Sequence, residues 1–401
     1  MKICIIVEGF PRLSETFVLD QALGLAARGH DVEILCRKRT PGSESVGDAA
    51  RLRTRQWWGG LAFLDDITGR LSPRLQHKLR GWLDMLQVAH LRRFDVLLAH
   101  FGYQGARVAG VIERAGAMPP LVTIFHGHDV GTVLHDGATH LYQQLFRHGA
   151  LQLTVNDVFR RTLVEAGAPA ARTRVHHMGI SAGAIPFAPR SSGKGPLTIL
   201  SVSRLTEKKG IAYALRALAR VKELRPDLRW RYRIIGDGEL REELQRLAAK
   251  LSIEDQVAFL GARPHVEVRQ NLAECDVFLL PSVTAANGDA EGIPVSLMEA
   301  MASGALVVST LHSGIPELVE DGVGGLLAPE RDAAALADKL LAVAEDPSVR
   351  NAMARAARCR VEADFNMDVQ LDRLEEELTS VVCARGGGVE DGTLATVVDA
   401  R

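Results

Sequence analysis

The chain has 401 residues, 47% of them apolar and 24% charged, which are ordinary globular values that exclude a largely disordered, collagen-like or coiled-coil protein. Its formal charge is only −1, but residues 1–190 hold 23 Lys+Arg against 16 Asp+Glu, and residues 191–401 hold 25 against 33. A basic half joined to an acidic half predicts two units with different partners.

Lys2–Val7 is a continuous apolar run, the pattern of a parallel strand covered on both faces. It is too short for a signal-peptide core and lacks a small-residue cleavage site. Nowhere does the chain reach the ~18 consecutive apolar residues of a membrane-spanning helix. Glu15 to Arg28 has helical apolar spacing stopped by Gly29, and Asp31–Cys36 reads as the next strand. Further strands are predicted at Phe94–Ala99, Leu121–Phe125 and Leu151–Val155. This β-α-β rhythm implies a parallel sheet.

Residues 40–93 interrupt the rhythm. Arginines and lysines stand there beside Trp57, Trp58 and Trp82, with Asp65, Asp66 and Asp84 as the opposing charges after residue 50. Such a segment suits an interfacial helix on an anionic membrane, or a solvated face with its tryptophans turned inward. The five cysteines, Cys4, Cys36, Cys275, Cys359 and Cys383, are scattered and form no C-x-x-C pair, so they read as reduced thiols.

A Pro/Gly/Ser-rich stretch from Phe187 to Pro196 marks a linker. The alternation restarts with strands at Thr198–Val202, Trp230–Ile235, Val257–Leu260, Asp276–Leu280 and Leu306–Ser309. Helices are predicted at Ile211–Leu224, Glu239–Leu251, after Pro294, and at Ala333–Glu345, Val349–Ala363 and Asp368–Val382. The fold class is therefore α/β, with two tandem Rossmann-like domains facing each other across a cleft. Residues 1–188 form the first, residues 189–365 the second, and residues 384–401 an expected disordered tail.

Three segments carry candidate chemistry. In Glu291-Gly292-Ile293-Pro294-Val295-Ser296, Pro294 is placed at the first helical position, and Gly304 at the helix end. Glu291 and Glu299 are then about 12 Å apart, too far for the paired carboxylates of a retaining glycosidase, about 5–5.5 Å apart. The helix N-terminus, with the N–H groups of Ile293, Val295 and Ser296, suits a phosphate, and Glu299 suits ribose hydroxyls. Arg204 and Lys209 lie in the loop after Thr198–Val202, where two cations would complete a diphosphate clamp. His126-Gly127-His128-Asp129 follows a strand of the first half, so His126 faces the cleft. Its spacing offers no further metal ligands, and no metal is expected. A G-x-G-x-x-G after the first strand, a Walker lysine loop and a G-x-S-x-G elbow are all absent.

The ordered set Glu291…Glu299 (E-x7-E), Ser203-Arg204-Leu205…Lys209-Gly210, Gly236-Asp237-Gly238, His126-Gly127 and Ser313-Gly314-Ile315-Pro316-Glu317-Leu318-Val319 resembles the family-4 retaining glycosyltransferases of GT-B fold. Phe10-Pro11-Arg12-Leu13-Ser14-Glu15-Thr16-Phe17-Val18 looks like the subgroup that builds bacterial exopolysaccharides, including colanic-acid-type enzymes. The resemblance implies a hexosyltransferase that moves sugar from a UDP- or GDP-hexose to a growing, lipid-linked glycan. It implies His126 and Glu291 at the reacting sugar, and Arg204, Lys209, Gly292, Ile293 and Val295 at the diphosphate. Glu299 would hold the ribose, and Gly236, Gly261 and Arg263 would lie near the base. Gly9, Glu15 and His100 would belong to donor or acceptor loops. Many members have paired glycines in the first strand-to-helix loop, whereas Glu8-Gly9-Phe10 has one. The final helix, about residues 366–383, would cross back onto the first domain. No cofactor or nucleic acid is implied. The expected place is the cytoplasm, peripheral at the inner membrane face, with residues 51–93 as the contact. The alternatives are a nucleotide-sugar 2-epimerase, a phosphorylase, and a non-catalytic nucleotide-sugar sensor or scaffold.

Overall fold

The computed structural model describes residues 1–12, 15–39, 48–57, 79, 81–135, 137–188, 190 and 195–386. The first sheet comprises β1 (Lys2–Phe10), β2 (Asp31–Arg39), β3 (Arg53–Gln56), β4 (Val96–His100), β5 (Leu121–Phe125), β6 (Leu151–Thr154) and β7 (Thr173–Val175), in spatial order 3-2-1-4-5-6-7. The longer helices α1 (Thr16–Ala27), α2 (Gly102–Ala115) and α3 (Asp157–Glu165) connect its strands.

The second sheet has β8 (Leu197–Val202), β9 (Trp230–Ile235), β10 (Val257–Gly261), β11 (Val277–Leu280), β12 (Leu306–Thr310) and β13 (Leu326–Ala328), in order 10-9-8-11-12-13. Its longer helices are α4 (Ile211–Leu224), α5 (Arg241–Lys250), α6 (His265–Glu274), α7 (Val295–Ser303), α8 (Ala333–Glu345) and α9 (Pro347–Asp364). Every strand pair in both sheets is parallel. The central strands are apolar on both faces. Ile3, Ile5, Leu98, Val122, Phe278 and Val307 are all fully buried, as double-sided helix cover requires.

In each sheet the strand order reverses once, between β1 and β4 and between β8 and β11. A crevice opens beyond the strand ends at such points, and ligands bind there. The linker between the sheets is pinned by a buried guanidinium. Arg190 donates to the carbonyls of Ala188, Leu272 and Cys275 at 2.6–2.8 Å. After α9 the chain pairs with Ile180, whose N–H donates to Phe365 O and whose carbonyl accepts from Met367 N–H. Helix α10 (Met367–Gly386) then packs on α1. Leu371 fills the space beside Gly24, Arg28 reaches Asp372 at 3.1 Å, and Arg174 reaches Glu377 at 2.7 Å.

Several expected bounds shift. The strand expected from Phe94 begins at Val96, because Phe94 closes a turn onto Leu91 O. The final helix continues to Gly386, so residues 384–386 of the expected tail are helical, and the remainder lies outside the described residues. Within residues 51–93, the segment 58–78 and residue 80 lie outside the described residues. Trp57 is turned inward at 1% exposure, its indole N–H donating to Asp84 at 2.6 Å, with Arg107 over its ring. Trp82 is 69% exposed. Cys4, Cys36 and Cys275 are buried, Cys359 and Cys383 exposed, and all are free thiols.

Candidate functional site

Where the two sheets face each other lies a cavity of about 490 Å³. Its C-terminal wall is made by the loop after β8 and the loop that leads into α7. Arg204, Lys208, Lys209, Glu291, Gly292, Ile293 and Val295 all line it. Arg204 has no ion-pair partner among the described residues. Lys209 is already engaged, its ammonium 2.6 Å from a Glu291 oxygen, and both side chains are nearly buried. Lys208, which stands out from the sequence only as a neighbour of Lys209, pairs with Asp289 at 3.0 Å and donates to Ala290 O. Burial would raise the Glu291 pKa, but Lys209 and Lys208 outweigh it and hold the carboxyl below its ordinary value. Glu291 is therefore an anion at neutral pH.

Helix α7 begins at Val295, with Pro294 as its N-cap, one position earlier than the sequence pattern predicts for it. Pro294 keeps an extended ψ of 121°, so the first helical turn starts after it. No side chain caps this end, which leaves amide N–H groups of the first turn directed at the cavity, where a helix N-terminus favours an anion. Gly304 closes the helix with φ of 91°.

Glu291 is held by a residue that the sequence motifs do not single out. Its backbone N–H donates to Nε2 of His312 at 3.0 Å, and Nδ1 of His312 sits 2.5 Å from Glu330. The imidazole is fully buried. Since Nε2 accepts, the ring proton is on Nδ1 and points to the carboxylate. The only sequence signal is a histidine just before Ser313-Gly314-Ile315.

The N-terminal wall is aromatic and neutral. His126 follows β5 and stacks on His100, the last residue of β4, with ring planes 12° apart and a 3.0 Å hydrogen bond between His100 Nδ1 and His126 Nε2. Phe17 and Phe101 flank His126, each with ring centroids 4.7 Å away. Burial, with His176 nearby, pushes His100 down to about 3. Burial, then His100 and His176, push His126 well below the ordinary histidine value. Both rings are neutral at physiological pH.

Asp129 organises this loop. Its carboxylate is fully buried and accepts from the N–H groups of Gly102, Gly127 and His126 at 2.7, 2.9 and 3.0 Å. Phe101, between β4 and α2, has φ 73° and ψ 135°, a conformation that costs a bulky residue about 1–3 kcal/mol.

The walls meet at backbone distance. A Cβ on Gly292 would stand 2.7 Å from His126 O and from a Val155 methyl, so only glycine fits there. Asn156 donates to Gly292 O at 3.1 Å. Glu317, in the Ser313–Val319 motif, accepts from Asp157 N–H and pairs with His177, both at 2.8 Å. That part of the motif therefore ties the two halves together.

Of the predicted site residues, the cavity gathers His126, Glu291, Arg204, Lys209, Gly292, Ile293, Val295 and Glu15. Others stand outside it. His100 lies beneath His126. Gly9 leaves room for the Arg12 guanidinium, which would come within 2.6 Å of an added Cβ. Glu299 is farther along α7, paired with His265 at 3.0 Å. Gly236 follows β9 and Gly261 ends β10, the two joined by a 2.9 Å backbone bond, and Arg263 lies 3.7 Å from Glu267.

Residues 186–360 match the family model "Glycosyl transferases group 1" and residues 14–179 match "Glycosyl transferase 4-like domain". WcaL of Escherichia coli K12, a glycosyltransferase assigned to colanic acid biosynthesis, is 39% identical over 96% of this chain and 100% of its own. The chain belongs to the group 1 glycosyltransferase family. The amylovoran biosynthesis glycosyltransferase AmsK of Erwinia amylovora is 36% identical over 94% of this chain and 99% of its own. Among solved structures, HepE of Anabaena with UDP and glucose superposes with TM-score 0.74 at 21% identity, covering 95% of this chain and 100% of that one. A sucrose-phosphate synthase from Thermosynechococcus elongatus does so with TM-score 0.75 at 18% identity, covering 96% and 100%. This glycosyltransferase thus has the GT-B architecture of two facing Rossmann-like domains.

Proposed function

We propose that this glycosyltransferase moves a hexose from a UDP- or GDP-sugar to a growing bacterial exopolysaccharide, with retention at the anomeric carbon. The observation that carries the reading is the cavity itself. Arg204, Lys209 and the uncapped start of α7 form an anion-binding wall, and neutral His126 faces them from the other domain. The exopolysaccharide assignment draws on the relatives from colanic acid and amylovoran biosynthesis.

In this reading the diphosphate lies against Arg204, Lys209 and the N–H groups at Ile293 and Val295, and Glu299 takes the ribose. Gly236, Gly261 and Arg263 border the base. The anomeric C–O bond breaks with oxocarbenium character, and the charge gathering on the departing diphosphate is met by the fixed cations and the helix N-terminus. Preorganised groups aimed at developing charge supply the largest share of such catalysis. The acceptor hydroxyl attacks from the same face, and its proton passes to the departing phosphate oxygen. Lys209 must divide its ammonium between Glu291 and phosphate. Glu291, kept anionic, lies at the sugar's ring and steadies positive charge there. His126 gives the transferred sugar a hydrogen-bonding partner without adding charge. The cations do the work a metal ion would do, so activity persists in EDTA.

The acceptor is carried on a lipid, at the inner face of the membrane. Supporting this are exposed Trp82 and Leu86 on the stretch that leads to Arg92 and Arg93. Among the described residues no helix is long and apolar enough to cross a membrane.

The test is a panel of UDP- and GDP-sugars, with binding and acceptor-free hydrolysis measured first. Mass spectrometry with bacterial lipid-linked extracts comes second. Selective binding of one donor with a gain of one hexose on a lipid supports the reading. Binding without transfer to any lipid-linked acceptor removes the acceptor assignment, and no binding to any donor removes the whole of it.

A further inference from the structure

The backbone at Phe101 has a consequence beyond the histidine pair. Its φ of 73° turns the ring out of the β4–α2 junction and into the cavity, where Phe17 and His126 also stand. The conformation is fixed on both sides. Phe101 N–H donates to Ile124 O at 2.8 Å, and Gly102 N–H donates to Asp129 at 2.7 Å. Phe101 also stacks on Tyr103, with centroids 5.5 Å apart and planes 14° apart. Tyr103 is 40% exposed. An aromatic strip therefore runs from Phe17 and His126 in the cavity, over Phe101, to Tyr103 at its rim. A core packing role accounts poorly for a strained residue whose ring stacks on an exposed one.

The polar rim beside the strip is balanced in charge. Arg12 pairs with Glu15 at 2.9 Å, and Glu15 also lines the cavity. Glu8 accepts from Arg37 at 3.1 Å and from Gln104 at 2.7 Å. Tyr103 senses these groups. Burial and the nearby Asp129, Glu15 and Glu8 raise its hydroxyl well above the usual range, so it stays a hydrogen-bond donor.

We infer that this strip is the subsite for the acceptor's terminal sugar and that it selects a neutral pyranose. The apolar C–H face of the ring lies on the free face of the Phe101–Tyr103 stack, and its hydroxyls meet Glu15, Arg12 and the Tyr103 hydroxyl. A uronic acid or other anionic sugar would meet Glu8 and Glu15 beside guanidinium groups that are already paired, with no compensation for its charge. The inference rests on the transferase reading above, whose own donor test is separate.

Saturation-transfer NMR with methyl β-glucoside, methyl β-galactoside and methyl glucuronide tests it. The neutral glycosides should take up saturation at the C–H protons of one ring face, and the glucuronide should not. Two variants locate the effect. Phe101→Gly removes the ring at a φ that glycine adopts freely, so it should melt no lower than the wild type. Tyr103→Leu keeps bulk and removes the stack. Each should weaken glycoside binding roughly 2–10-fold, and should raise the acceptor KM while leaving the donor KM in place. Equal saturation in wild type and both variants overturns the subsite, and so does stronger binding of the glucuronide. Donor binding without any glycoside saturation also overturns the subsite while leaving the transferase reading intact. No donor binding by the wild type strikes that reading instead, and a glycoside signal that tracks the two variants then marks a neutral-glycoside site and overturns its acceptor role.

Discussion

At the end of β8 the chain leaves its sheet with Arg204, Lys208 and Lys209, while at the end of β5 it leaves with His126, Gly127, His128 and Asp129. Both are strand-to-helix loops at the ligand edge of a parallel sheet. The first keeps its cations at a cavity wall, partly neutralised by Asp289 and Glu291. The second turns its carboxylate away from the cavity into three backbone N–H groups and holds its stacked histidine uncharged. One fold element thus yields a cation-bearing wall and an uncharged aromatic wall. The cations of the first loop meet carboxylates from the loop that leads into α7, whereas the carboxylate of the second is spent within its own wall.

The largest test of that contrast is Arg204→Ala. Arg204 is the wall cation without an ion-pair partner among the described residues, so removing it strands none of their carboxylates. Turnover should fall about 10²–10³-fold while the melting temperature stays put. Steady-state kinetics with thermal unfolding checks both. Near-normal turnover would remove the clamp, and a large drop in melting temperature would make Arg204 a structural residue.

Asp129 should behave in the opposite way. Asp129→Ala leaves three buried N–H groups unpaired, each worth about 1–3 kcal/mol, so a loss of about 3 kcal/mol in stability is expected. Asp129→Asn keeps one acceptor oxygen and should lose roughly half as much. Urea unfolding measures the difference. If both variants unfold like the wild type, the loop does not need its carboxylate, and the contrast between the walls has another origin.

His312 sharpens the comparison within the charged wall. His312→Leu orphans the Glu291 N–H and releases Glu330, at a cost of about 1–3 kcal/mol. Turnover should fall about tenfold, an energy of about 1.4 kcal/mol, with donor affinity little changed. His312→Gln, which can still accept from one side and donate to the other, should restore most of it. Equal loss in the Leu and Gln variants would make His312 simple packing.

These residues also show what sequence can reveal. The strands Leu121–Phe125 and Trp230–Ile235 and the helices Ile211–Leu224 and Ala333–Glu345 lie where apolar period and flanking glycines place them. Strand β3, Arg-Thr-Arg-Gln, is illegible in sequence because it is a charged edge strand, and β7 and β13 because three residues carry no period. Arg204 and Glu291 are legible because they stand beside a strand end or a helix start within a motif. His312 and Asp129 act through backbone N–H groups of residues brought near by folding. The partner of His312 and the Gly102 N–H that Asp129 also holds lie 21 and 27 residues away and cannot be read from spacing, and neither can the strain at Phe101.

The smallest expected effect is at Glu299, which stands outside the cavity and is paired with His265. The hydrogen bond to Glu299 raises the His265 pKa above its ordinary value against the cost of burial, with Asp20 of α1 adding to the rise and Arg269 opposing it. A raised histidine keeps its pair fully formed below the unfolded value and loses it as pH climbs through the folded one. Acid therefore strengthens the hold of His265 on Glu299, and ribose hydroxyls must compete with it. Because His265 is mostly exposed, solvent screening keeps the effect small. Donor affinity should rise about two- to threefold between pH 6 and pH 8, a range in which the diphosphate diester of a nucleotide sugar does not titrate. Calorimetric titration across that range checks it. His265→Gln should bind more tightly at pH 6 and flatten the profile, because the competing cation is gone. A pH dependence that survives His265→Gln unchanged would mean that Glu299 is not where the ribose binds, or that another group sets the profile. Loss of donor binding in Glu299→Ala but not in Glu299→Gln would then separate the two, since an amide can still accept from a hydroxyl.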